Sequence, residues 1–160
     1  MSHSAPETLP LSQAQQEVWL DQRAWPASPH LWVGGTSLLR GRIERPRLLQ
    51  ALQQLAAEQL ALRLVPQPVR EGQWLLPHFE PALPELQAEA GLPPEEALRQ
   101  AWLQGARHPC PLGEAPPWRV QLMHFPGHPD LLGILLLAHH LVMDGSATAQ
   151  FMRRWSELYS

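Results

Sequence analysis

Eight almost purely apolar residues, Leu131 to Ala138, run straight into the polar string His139-His140-Leu141-Val142-Met143-Asp144-Gly145. An apolar run of this length without alternation fits a β-strand buried on both faces, since successive side chains of a strand point to opposite sides. A strand of that kind needs cover on each side, which predicts a layered fold with helices flanking the sheet.

The rest of the chain supplies those layers. Ser12 stands at an N-cap position, and Gln13 to Gln22 has helical spacing with Val18 and Trp19 apolar and Leu11 flanking. Leu31 to Leu39 is β-like, and its Gly34-Gly35 pair marks a bulge or a close backbone approach. Pro46 opens a helix in which Leu48, Leu49, Leu52, Leu55, Ala56 and Leu60 form one apolar face. Arg63 to Val65 and Gln73 to Leu76 read as short strands joined through Arg70-Glu71-Gly72. Pro93-Pro94-Glu95-Glu96 starts a helix running towards His108, with acidic groups at the positive end of its dipole. Trp118 to Phe125 is a further strand, and Gly127 with Pro129 turns the chain into the apolar run. A helix from about Ser146 to Tyr159 follows. The predicted order is helix, strand, helix, two strands, helix, two strands, helix, a mixed α/β layer fold.

Composition narrows the function classes. The 160 residues carry a net charge of −3, and all the basic residues are Arg. These are scattered, with no basic stripe and interleaved aromatics, which argues against a nucleic-acid partner. No apolar run approaches the roughly 20 residues of a membrane span, and residues 1–8 lack a secretory pattern, so a soluble cytoplasmic protein is expected. Cys110 is the single cysteine, which leaves no disulfide framework and no cysteine metal site. The 18 prolines, among them Pro93-Pro94 and Pro116-Pro117, punctuate element boundaries. Seven dispersed tryptophans point to packing.

The polar string carries the chemistry. Open α/β folds place reactive groups where a rigid strand emerges before a helix. Adjacent side chains in extended backbone face opposite ways, so one of His139 and His140 should face a pocket while the other packs inward. That opposes a two-histidine metal site, and neither zincin nor His-Cys-Cys spacing is present. Asp144 is available to orient a histidine or to pair with a guanidinium. Gly145 is expected to turn the chain with φ > 0, and Ser146 or Thr148 to cap the following helix. The helix dipole would then favour a neutral imidazole, as a general base or amine acceptor requires.

These residues resemble a known family. His139, His140, Asp144 and Gly145 satisfy His-His-x-x-x-Asp-Gly, the core motif of the condensation domain of non-ribosomal peptide synthetases. Ser12, Ala14, Gln15 and Trp19 match its earlier Ser-x-Ala-Gln-x-x-x-Trp motif. The resemblance spans about residue 9 to residue 160. It implies one lobe of a two-lobed fold like that of chloramphenicol acetyltransferase, with a lead-in at 1–8 and the N-terminal lobe at 9–160. The last helix reaches Ser160 without a stop signal, which fits a fragment lacking the C-terminal lobe.

The resemblance further implies a tunnel between two lobes, to which carrier proteins bring an acyl or peptidyl thioester and an aminoacyl amine on phosphopantetheine arms. In that scheme His140 faces the tunnel as catalyst and Gly145 N–H is a candidate oxyanion donor. His139 and Asp144 hold the loop, and neither metal nor directly bound cofactor is required. Of the second family motif, Arg-His-Glu-x-Leu-Arg-Thr-Arg-Phe, only Glu58, Leu60 and Arg63 survive. Arg63, or an arginine of the missing half, is the expected partner of Asp144. The alternatives are a non-catalytic carrier-docking or gating lobe, which the eroded motif favours, and a coenzyme A-dependent acyltransferase, which the early motif opposes. A heterocyclising relative would carry an aspartate at position 139.

Overall fold

In the computed structural model, which describes residues 7–160, the elements are β1 (Glu7–Leu9), α1 (Gln13–Ala24), β2 (Trp32–Arg40), α2 (Arg45–Glu58), β3 (Leu64–Pro66), β4 (Gln73–Leu75), β5 (Glu85–Gln87), α3 (Pro94–Gly105), β6 (Trp118–His124), β7 (Leu131–His139) and α4 (Gly145–Tyr159). A 3₁₀ turn, Leu60–Arg63, leads from α2 into β3. The main sheet has the order β2-β7-β6-β5, and a small sheet has the order β1-β4-β3. β7 pairs antiparallel with both β2 and β6, whereas β5 pairs parallel with β6.

All nine residues of β7 are buried, as the apolar run requires. Its two faces serve different layers. Leu132, Ile134, Leu136 and Ala138 join the cluster that includes Leu48, Leu52 and Leu55 of α2 and Phe151 and Trp155 of α4. Leu131, Leu135 and Leu137 join a second cluster with Ala97 and Leu98 of α3. Gly133 belongs to the α3 face, where a Cβ would stand 2.6 Å from Leu98 Cδ2 and 2.9 Å from Phe125 Cζ. Each fully buried leucine contributes about 1.5–3 kcal/mol. A one-residue slip would also exchange the two faces, so register and burial support each other.

Five of the seven tryptophans fasten elements through the indole N–H. Trp19 donates to Gln67 O, Trp32 to His108 O, Trp102 to Leu136 O, Trp118 to Leu62 O and Trp155 to Leu48 O. Trp25 and Trp74 are the exposed exceptions, at 65% and 38%. Packing and carbonyl capping, rather than an aromatic binding surface, explain the tryptophan content.

Several expectations need correction. Glu7 and Thr8, assigned to a lead-in, lie in β1 and pair with Leu75 and Trp74; residues 1–6 of that lead-in lie outside the described residues. β5 was not foreseen. Both are three-residue strands with no alternation to read, and they exist only through their long-range partners. α2 ends at Glu58, because Gln59 turns extended, so Leu60 leaves the apolar face and is 48% exposed. α3 stops at Gly105, short of His108.

Gly34 makes the close approach rather than a bulge, since the β2–β7 register continues unbroken through it. Its φ is 128°, and a Cβ would lie 2.1 Å from the Leu136 carbonyl oxygen, whereas a Cβ on Gly35 meets nothing within 4 Å. Gly34→Ala is therefore expected to destabilise by at least about 2 kcal/mol, and Gly35→Ala to stay within about 0.5 kcal/mol of wild type. Urea unfolding midpoints at constant slope measure both.

Candidate active site

The polar string leaves the sheet between two neighbours at the same level. Trp32 of β2 stands opposite His139, and Trp118 of β6 opposite Ala138. The His139 backbone N–H donates to Pro117 O at 2.8 Å, and the His140 N–H donates to Leu31 O at 2.9 Å. The His139 carbonyl then accepts from Val142 and Met143 N–H at 3.0 and 3.3 Å, closing a turn. Leu141, Val142 and Met143 are buried at 2%, 7% and 4%, so the turn is pinned by its apolar middle.

The two histidines separate as strand geometry dictates. The His139 ring is 1% exposed, whereas His140 is exposed. His139 Nδ1 accepts the Leu141 N–H at 3.1 Å, and Nε2 lies 2.8 Å from Gln22 Oε1. Because Nδ1 receives a donor, the ring proton sits on Nε2 and is donated to Gln22. Burial, followed by the charges of His140 and His30, lowers the His139 pKa to about 4, so the ring is neutral at physiological pH. His139 is inward and locked; His140 is outward and free.

Asp144 caps α4. Its Oδ1 accepts the Ala147 N–H at 2.7 Å, and its carbonyl accepts from Thr148 N and Oγ1, each at 2.8 Å. Asp144, not Ser146 or Thr148, is thus the N-cap, with Thr148 reinforcing it from inside the helix. Gly145 is the first helical residue and is not among the positive-φ glycines, because the extended Asp144 makes the turn instead. A Cβ at Gly145 would meet nothing within 4 Å. By its place at the helix start its N–H has no intrahelical acceptor and points out with the positive dipole end.

Arg63 stands elsewhere. Its Nη1 donates to Leu76 O at 2.8 Å and Pro77 O at 3.3 Å, tying the 3₁₀ turn to the end of β4. Among the described residues no ion pair joins Asp144 to a guanidinium, since the capping bond has taken its carboxylate. The expected Arg63 support is replaced by helix capping.

The early motif is brought to the turn by α1. Ser12 and Gln15 form a capping box, and Gln15 Nε2 also donates to Leu141 O at 2.8 Å and to Gln73 Oε1 at 2.9 Å. Gln73, 5% exposed, donates to Pro10 O. Trp19 is buried on the same side, and Gln22 meets His139. Positions 12, 15, 19 and 22 are spaced three, four and three apart, one stripe of a helix. In the sequence Gln22 marks only the end of that helix; the spacing sets it on the motif's stripe without revealing its partner. Gln73, Leu31 and Pro117 read in the sequence only as element boundaries, with nothing to tie them to this turn.

Beside Gln22 lies a recess of about 380 Å³ bounded by Arg23, Pro26, Pro68, Val69, Cys110 and Leu112. Burial pushes the Cys110 thiol up to about 12, so it is no nucleophile near neutrality. Among the described residues no three His, Cys, Asp or Glu side chains are grouped to hold a metal, and no helix is long and apolar enough to cross a membrane.

The strand end thus carries one buried, doubly bonded histidine and one exposed histidine ahead of an Asp-capped helix on a layered α/β frame. The condensation-domain profile matches residues 5–160, and the chain belongs to that family. It is 30% identical to tyrocidine synthase 3 of Brevibacillus parabrevis across 98% of this chain, and 31% identical to a probable non-canonical nonribosomal peptide synthetase, CymA, of Salinispora arenicola across 97%. It spans 2% of the length of each of these relatives. A point mutant of the starter condensation domain of rhizomide synthetase RzmA, solved in complex with C8-CoA, superposes with a TM-score of 0.83 at 26% identity, covering 96% of this chain and 35% of that one. The first condensation domain of the CDA synthetase gives 0.79 at 22% identity, covering 99% and 40%.

The low folded-state pKa of His139 has a consequence for stability. Between the unfolded value of 6.5 and about 4 the unfolded chain binds a proton that the folded ring does not. Stability from this group is thus complete above pH 6.5 and falls, by on the order of 3 kcal/mol, as pH drops to about 4. In His139→Asn, whose side-chain oxygen can still accept the Leu141 N–H, the loss between pH 7.5 and 4.5 is expected to be smaller by about that amount. Denaturant unfolding at the two pH values checks it.

Proposed function

We propose that the chain is the N-terminal lobe of a condensation domain and contributes His140 and Gly145 to amide formation between a carrier-bound acyl or peptidyl thioester and a carrier-bound aminoacyl amine. The observation that carries the reading is the division of labour in the pair: His139 is buried, neutral and doubly bonded, while His140 projects from a fixed backbone beside the start of α4. The amine nitrogen attacks the thioester carbon, the C–S bond breaks, and the proton shed by nitrogen ends on the departing sulfur. His140 takes that proton or holds the amine by accepting its N–H, a contribution of about 10²–10⁴-fold. The unbonded N–H of Gly145 would meet the negative charge that gathers on the carbonyl oxygen.

The substrates arrive on phosphopantetheine arms, so the protein itself need bind no cofactor, and its partners are carrier domains and the C-terminal lobe. Holding two tethered reactants together supplies much of the acceleration, and that needs both walls of a tunnel. This explains why His140 is exposed in one lobe. It also leads us to expect that the lobe alone folds yet forms little or no amide.

The test is product formation by the complete synthetase with loaded donor and acceptor carriers, followed by mass spectrometry. His140→Ala is expected to lower the rate by about 10²–10⁴-fold with carrier loading intact. Unchanged product would remove His140 as catalyst. Absence of product in wild type would place the carrier-docking or gating reading first, the reading to which the eroded motif around Arg63 already points.

A further inference from the structure

We propose that Gln22 is a positioning residue for amide formation: by accepting the Nε2–H of His139 it leaves Nδ1 to accept the Leu141 N–H, and so sets the turn from which His140 projects. The proposal rests on the assignment of His140 as catalyst.

Three observations lead to it. The His139 ring makes two hydrogen bonds of opposite sense, one accepted from Leu141 N and one donated to Gln22 Oε1. The other neutral tautomer would set two N–H groups face to face at Leu141, and turning the ring over would aim carbons at both partners. Second, the two peptide units flanking Leu141 are held from opposite ends of α1, the first at the Leu141 N–H through His139 and Gln22 and the second at the Leu141 carbonyl through Gln15. The first of these units joins His140 to Leu141, so any change in its plane moves the imidazole. Third, Gln22 sits half-buried on the helix stripe that carries the family motif, yet lies outside it.

The side chain also has to be neutral. A carboxylate at 22 would pair with an imidazolium, and protonation places a hydrogen on Nδ1, which can then no longer accept from Leu141. The ionisable groups around the ring are His140 in the turn, His30 with its partner Asp21 at 2.6 Å, and Arg23, which stacks on Trp19 beside Gln22. Of these, the two histidines oppose charge on His139, whereas Glu at 22 would be its direct partner. Glutamate has the shape of glutamine, so the substitution adds charge without repacking.

The experiment compares Gln22→Leu and Gln22→Glu with wild type in the complete synthetase, with adenylation and carrier loading as controls of an intact protein. Steady-state amide formation is measured against acceptor-carrier concentration from about pH 5 to pH 8, the range in which histidines titrate. Gln22→Leu is expected to lower kcat by at least about tenfold at every pH, with KM for the carrier unchanged, as loss of a histidine's outer partner does elsewhere. Gln22→Glu is expected to recover most of that loss at about pH 8 and to lose it again as pH falls, because the added carboxylate favours protonated His139; its rate therefore falls at a higher pH than that of wild type. Wild-type kcat in Gln22→Leu, or a wild-type pH profile in Gln22→Glu, overturns the proposal while His140→Ala remains inactive. If His140→Ala keeps the wild-type rate, or wild type forms no amide, the underlying assignment fails and takes the proposal with it. Should Gln22→Leu not fold, the pH profile of Gln22→Glu decides alone.

Discussion

Burial of β7 on both faces is the constraint on which the other features depend. A strand with solvent on one side can tilt or slip; one wedged between α2 and α4 on one face and α3 on the other cannot. Its C-terminal end is therefore a fixed point in space, held further by the Pro117 and Leu31 carbonyls. Chemistry placed there inherits that rigidity without needing a rigid loop of its own. The polar string spends only four residues, His140 to Met143, between the strand and the Asp144 cap, and three of them are buried apolar side chains.

Helix α1 completes the site from outside the sheet. One stripe of it reaches the turn at Leu141 through Gln15 and at His139 through Gln22. The bonds are neutral contacts in a partly buried setting, where a donor or acceptor left unpaired away from water costs about 1–3 kcal/mol. This favours a single arrangement of the turn, and a neutral His139 is part of it. Asp144 contributes in another way, as a helix cap rather than an ion-pair partner. The carboxylate is satisfied locally, without any arginine of the second motif.

The end of β7 opens directly to solvent. His140 and Gly145 lie at one surface, with no wall across from them among the described residues, and the chain covers 35% and 40% of two solved condensation domains that it superposes on. What these residues would do in catalysis therefore depends on what faces them. The placement of the turn is settled within the described residues; what would stand opposite it is not.

Much of this was legible in the chain itself. The apolar run dictated a doubly buried strand, Ser12 and Pro46 marked helix starts, and the opposed directions of His139 and His140 followed from extended backbone alone. Those are local consequences of side-chain periodicity and backbone sterics. Which histidine turned inward was decided by the register of β7 and by Gln22, 117 residues away. The β1 and β5 strands and the escape of Arg63 from Asp144 were likewise settled by partners distant in sequence. Periodicity reports which face of an element is apolar. Hydrogen bonds between polar side chains from separate elements leave no periodic trace, so only the folded chain could assign them.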